Sequence, residues 1–153
     1  MLQIKIEVNK ADLEKIKQMP NEFRAGLKNG VRKAMIFAEG KAKQDFTKSR
    51  GPAGGLHVRS GHLRRGIESG IIDHGDIIEG WLGDNIIYAP IHENSAIIYP
   101  KKGPYLRFPI DGHWVSVKKV IIPKRPFLRP VIEENINEIA EIIHDTIIAE
   151  VDK

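Results

Sequence analysis

Six histidines, His57, His62, His74, His92, His113 and His144, give this chain its widest chemical repertoire. Imidazole serves as metal ligand, general base or general acid near neutral pH. None of the six stands at metal-ligand spacing from another on an expected helix. His92-Glu93 matches the opening of the H-E-x-x-H zinc helix, in which two histidines four apart share one face, but position 96 is Ala96. The chain has no cysteine, which removes thiolate zinc sites, disulfides and a cysteine nucleophile. No G-x-S-x-G elbow offers an activated serine. The glycine-rich GPAGG at 51–55 lacks the following GK[ST] of a phosphate-holding P-loop. Carboxylates cluster only on the C-terminal helix, where a solvated face accounts for them. These residues point to no enzyme, no metal and no cofactor.

The positive signal is charge. Residues 131–153 carry a net −6, so the +4 of the whole chain leaves +10 on residues 1–130. The basic excess is densest from Lys41 to Arg65, where Lys41, Lys43, Lys48, Arg50, Arg59, Arg64 and Arg65 face Asp45 alone. Within it, Ser60–Arg65 reads SGHLRR, two arginines in a short helical turn that Ser60 is expected to cap. A helix N-terminus with two arginines can grip phosphates. A solvated basic surface explains the same residues, as does docking on an acidic protein. A charge-polarised molecule can also stack head-to-tail on copies of itself.

The elements that must position these residues follow from periodicity. The 153 residues and 41% hydrophobic content suit one domain with a real core. No run of 18 apolar residues is long enough to span a membrane, and MLQIKIEVNK lacks a signal-peptide pattern, so a cytoplasmic protein is expected. LQIKIEV alternates, with Leu2, Ile4, Ile6 and Val8 on one face of a first strand. Asn9 caps a short helix. Pro20 opens a long one, 20–46, with Phe23, Leu27, Val31, Ala34, Met35, Ala38, Ala42 and Phe46 as its stripe. Gly26 and Gly30 within it, four apart, mark close packing against a neighbour. TKSRGPAGGLHV, 47–58, has too little apolar content to order itself and reads as a mobile loop.

Beyond the loop, GIIDHGDIIEGWLGD reads as a hairpin around His74-Gly75, and YAPIHE as a single turn. YLRFPIDGHWVSVK, 105–118, closes on Asp111-Gly112, a strong two-residue turn. Its pairing puts Leu106, Phe108, Val115 and Val117 on a buried face and Tyr105, Arg107, Trp114, Ser116 and Lys118 on the other. The last helix spans 128–150, with Leu128, Val131, Ile132, Ile136, Ile139, Ile143 and Ile147 as its stripe. Pro130 must sit in its first turn, where the missing N–H costs nothing. The expected fold is α+β, an antiparallel sheet packed against the long N-terminal helix and the C-terminal helix.

RSGHLRRGI (59–67), YAPIHE (88–93) and IPKRPFLRPVIEE (122–134), in that order, resemble the virion-morphogenesis or tail-completion family of tailed bacteriophages. The segment 99–122 is similar to a β-hairpin insertion that many members carry before the last motif. His62 and Gly66 fill variable positions, and Asn94-Ser95 stands where a glycine usually follows the glutamate. The resemblance implies a non-catalytic protein of the virion head–tail junction, assembled in the host cytoplasm as a six-copy ring. It implies neighbouring neck, head-completion and tail-tube proteins as partners, with contact to DNA in the lumen. Lys48, Arg50, Arg59, Arg64, Arg65, Tyr88, His92, Glu93, Arg125, Phe127 and Arg129 are the expected subunit or partner contacts. The alternative is a small basic nucleic-acid-binding protein using residues 41–65.

Overall fold

Strand-forming alternation at the start and helix-forming periodicity after it produce the expected α+β arrangement. The computed structural model describes residues 2–6, 21–50, 53–75 and 77–152, the first of these ranges as backbone only. The expected short helix after Asn9 and the helix start at Pro20 lie outside these residues. In chain order the elements are β1 (Leu2–Ile6), α1 (Asn21–Gln44), α2 (His62–Arg65), β2 (Ile67–Asp73), β3 (Ile78–Asp84) and α3 (Ala89–Asn94). There follow β4 (Ala96–Ile98), β5 (Leu106–Ile110), β6 (His113–Val117), β7 (Val120–Ile122), α4 (Arg129–Glu134) and α5 (Ile136–Val151).

β1, β3 and β2 form an antiparallel sheet in that order. The β2–β3 hairpin pairs Asp73 with Ile78 and turns through Gly75 at φ 87°, with His74 N–H donating to the Ile77 carbonyl at 2.9 Å. α1 lies on this sheet. Its residues Leu27, Val31, Ala34, Met35, Ala38 and Ala42 are buried with Ile67, Ile78 and Leu82 from the strands. A second face of α1 receives α5. There a side chain on Gly26 would place its Cβ 2.9 Å from Ile147 Cα, and one on Gly30 would meet Ile143 Cα at 3.0 Å. The two helices therefore touch backbone to backbone, and only glycine permits that approach. α1 is the central layer, between the sheet and α5.

The last helix is broken where an unbroken one was expected. α4 and α5 are separated at Asn135, φ −117° and ψ 19°. Asn135 Nδ2 donates to the Val131 carbonyl at 2.7 Å, taking the acceptor that its own N–H would use in a continuous helix. The break turns Ile136 outward, 48% exposed, off the expected stripe, while Leu128, Val131, Ile132 and Ile139 are buried. Pro130 sits in the first turn of α4, as its missing N–H requires.

β4 pairs with β7 and β5 with β6, so residues 96–122 form an arm of two short ribbons. Leu106 faces Val117, Phe108 faces Val115 and Ile110 faces His113, the expected register, with Asp111 at φ 49° and Gly112 at φ 81° in the turn. The depth of burial differs from expectation. Leu106, Phe108, Val115 and Val117 are half-buried, because the hairpin stands away from the α1 core. No helix among the described residues is long and apolar enough to cross a membrane.

Candidate functional site

The residues that carry the family resemblance meet at one corner, and Glu93 holds it together. Glu93 lies on α3, 2% exposed. Its Oε2 accepts the N–H groups of Phe127 at 2.8 Å and Leu128 at 3.1 Å, and its Oε1 accepts that of Arg129 at 2.9 Å. These are donors of the α4 N-terminus, where Leu128, the capping residue, offers no side-chain cap. A carboxylate from a distant segment fills that role, with charge-assisted bonds at the positive end of the helix. Glu93, of the histidine-glutamate pair that opens a zinc motif in the sequence, thus serves as a cap. Among the described residues, no group of three or more His, Cys, Asp or Glu is placed to hold a metal ion.

Capping draws the neighbouring residues inward. Phe127 is 1% exposed and packs edge-on against Phe46, ring centroids 5.6 Å apart. Leu128 is fully buried. Phe127 and Glu93 are therefore internal in this chain, which corrects the expectation that they meet a partner. Arg125 N–H donates to the His92 carbonyl at 2.8 Å, and its Nε to the Ala53 carbonyl at 3.0 Å. His92 stacks edge-on with Tyr88 at 6.1 Å. Burial, and then the nearby Arg125 charge, push the His92 imidazole below its ordinary pKa, which favours the neutral ring.

Beside this corner opens a cavity of about 400 Å³. Buried Phe46, Leu56 and Leu63 supply its apolar lining. Arg59, Arg64, Arg125, His57, His62, His92 and Tyr88 are among its other lining residues, and no carboxylate lines it. Arg59 and Arg64 also line an adjoining groove with Lys43 and Arg65. The turn that presents them is capped by Gly61 at φ 74°, a left-handed conformation suited to glycine, rather than by Ser60 as expected. Ser60 Oγ reaches only to 3.5 Å from the His62 N–H. Arg65 Nη2 donates to the Ser60 carbonyl at 3.1 Å and steadies the turn.

The other expected contacts divide. Arg50 is turned inward, its side chain 4% exposed. It forms a bidentate pair with Glu134, Nε to Oε1 and Nη2 to Oε2 both at 2.9 Å, and Nη2 reaches Asp45 Oδ2 at 2.9 Å. Lys48 Nζ reaches Glu134 at 3.2 Å. The Arg50 guanidinium holds the Glu134 carboxyl down to a pKa of about 2, with Lys48 adding to it. These contacts, with buried Leu56 and the Arg125–Ala53 bond, tether the segment expected to be a mobile arm. Lys48 and Arg50 thus pin the loop to α4. Arg129 stays exposed beside Lys124 and Glu133, in a separate cleft.

Sequence reasoning missed the partners of Arg50. Asp45 is near in sequence, but Glu134 lies 84 residues away and looked like one acid of a solvated face. It also missed the apolar lining of the cavity, although Phe46 was already in the expected stripe of the long helix. Comparison with protein-family models, with curated proteins and with solved structures finds no match to this chain.

Proposed function

We propose that this chain is a structural protein of a tailed-bacteriophage head–tail junction, one subunit of an oligomeric ring that completes the tail and joins it to the head. One observation carries the proposal. Three motifs separated in sequence come together as one corner: 88–93 and 122–134 are joined by Glu93 and by the Arg125 bond to His92, and 59–67 lines the same cavity as Tyr88, His92 and Arg125. The polarity of charge supports a ring. The basic cavity sits at the C-terminal end of α1, by Phe46, while the acidic outer side of α5 lies along its N-terminal part, where Gly26 and Gly30 meet α5. From Gly26 to its end at Gln44, on the cavity side, α1 runs roughly 27 Å. Unlike surfaces at opposite ends of a subunit suit head-to-tail contacts that close into a ring.

A second reading, nucleic-acid binding by residues 41–65, is favoured by the groove that Lys43, Arg59, Arg64 and Arg65 share. It is weakened because Lys48 and Arg50 are engaged by Glu134, and Lys43 by Glu39 at 2.6 Å. The joint variant Arg64→Glu/Arg65→Glu separates the two. Both side chains are exposed, so thermal melting should change little, by no more than the exposed Arg65 bond to the Ser60 carbonyl contributes. In a complementation assay, heads and tails should accumulate unjoined. Normal particle yield with normal melting would place the subunit or partner contact elsewhere. Loss of a steeply salt-dependent DNA affinity, with particle yield unaffected, would favour the second reading.

A further inference from the structure

The 96–122 arm is left over by the corner and by the ring, and its outer face has a composition of its own. Residues 96–124 carry five lysines and one arginine against a single acid, Asp111. Every one of these cations is exposed, and among the described residues none is ion-paired. The register fixes which side chains share a face. Arg107 pairs with Ser116 and Pro109 with Trp114, so these four project from one side of the β5–β6 ribbon, opposite Phe108 and Val115. Tyr105 and Lys118 extend the same face by alternation and are exposed. Trp114 is 76% exposed, an indole that finds little cover within the chain. An exposed ring beside flexible cations, on a hydrogen-bonded ribbon, is the chemistry that holds unpaired nucleotides. Phosphates meet the cations, and a base stacks on the ring without regard to sequence.

We propose that this face of the arm binds single-stranded nucleic acid, with Arg107 and Lys118 on phosphates and a base stacked on Trp114. The inference is independent of the head–tail proposal and of the groove around Arg64. An anionic membrane is a poorer fit. The hairpin tip that would enter it first carries Asp111 and His113, and the aliphatic side chains Leu106, Val115 and Val117 lie on the opposite face. Duplex DNA offers phosphates but keeps its base faces stacked within the helix.

The test uses the full chain, a short oligothymidylate, a duplex of equal length and vesicles of phosphatidylglycerol. The chain has two tryptophans, Trp81 in β3 and Trp114, so Trp114→Phe leaves a fluorescent control. Oligothymidylate is expected to quench the wild-type emission and to leave that of Trp114→Phe unchanged. Trp114→Ala, which removes the ring altogether, should weaken binding roughly ten-fold. Arg107→Gln/Lys118→Gln should lower the slope of log affinity against log salt by about 1.4, at about 0.7 per phosphate contact. All three side chains are exposed, so circular dichroism and melting should match wild type. Absence of binding at low salt would overturn the proposal. So would binding that these substitutions leave unchanged, tighter binding of the duplex, or a blue shift of Trp114 on vesicles without quenching by the oligonucleotide.

Discussion

Glu93 and Phe127 stand 34 residues apart, yet a carboxylate oxygen of Glu93 accepts the Phe127 N–H at 2.8 Å in a buried bond. The same oxygen takes Leu128, and its partner oxygen takes Arg129. One side chain thereby satisfies three donors at the start of α4 and orients the turn that seats Phe127 and Leu128 in the core. Proline 130 contributes by needing no partner at all. The corner is built from chemistry that the sequence scatters over three segments.

Replacing Glu93 by glutamine keeps the shape but puts an amide N–H₂ where an acceptor is needed. One of the three backbone donors then faces a donor, and the charge that strengthens the others is gone. Glu93→Gln is expected to cost roughly 3 kcal/mol, from the worth of buried hydrogen bonds to charged groups. That corresponds to a fall in Tm of about 6–12 °C for a chain of this size. Melting by circular dichroism measures it, and a Tm within experimental error of wild type would show that the cap is dispensable.

Ser95 follows α3 at φ 75° and ψ 161°, a conformation that glycine adopts freely and other residues do not. Ser95→Gly is therefore expected to stabilise the fold by about 1 kcal/mol, the released strain exceeding the added freedom of the unfolded chain. Chemical denaturation should show a higher midpoint at unchanged slope. A lower midpoint would mean that the serine makes a compensating contact.

Glycines on α1 are expected to answer in opposite directions. Gly30→Ala drives a Cβ to 3.0 Å from Ile143 Cα and carbonyl oxygen, backbone atoms that cannot move aside alone. It should cost about 1–3 kcal/mol, as overpacking does. Gly40→Ala meets nothing within 4 Å. There the gain in helix propensity, about 1 kcal/mol, should appear as added stability. Equal effects from the two would contradict the backbone contact of α1 with α5.

The Arg50–Glu134 pair makes stability depend on acid. Glu134 titrates near 2 in the folded chain, below the roughly 4.3 of a free glutamate, so the unfolded state binds its proton first. Its contribution is fully present above the unfolded value and is lost as pH falls through that window toward 2. Glu134→Gln should flatten the stability–pH curve between those limits, measured by urea midpoints, and do little to its shape near neutrality. A curve of wild-type steepness in that window would assign the acid sensitivity elsewhere.

What could be read from the sequence was local. The Asp111-Gly112 turn and its alternation specified the arm register pair by pair, and the three- and four-residue steps of α1 identified its buried face. Gly26 and Gly30, four apart, pointed correctly to a close neighbour. The misses are long-range or depend on a single side chain. Nothing near Glu93 says that its acceptors lie at 127–129, because a helix cap is usually supplied by the adjoining residue. Arg50 looked like one cation of a basic run until the fold brought Glu134 to it. Asn135 gave no periodic signal, yet one side-chain bond to Val131 breaks the helix and turns Ile136 out. Half-burial of the arm was invisible for a related reason, since alternation shows which face is apolar and not whether anything covers it.

The head–tail proposal meets its most direct test in a side-chain-resolution reconstruction of the neck of a virion that encodes this chain. The expected result is a closed ring of about six copies between tail and head, with like ends never paired, as heterologous contacts require. The basic cavity bounded by Arg59, Arg64 and Arg125 should lie against a neighbouring subunit or neck protein. A particle whose neck lacks this chain, or holds it as a single copy outside any ring, would contradict the proposal.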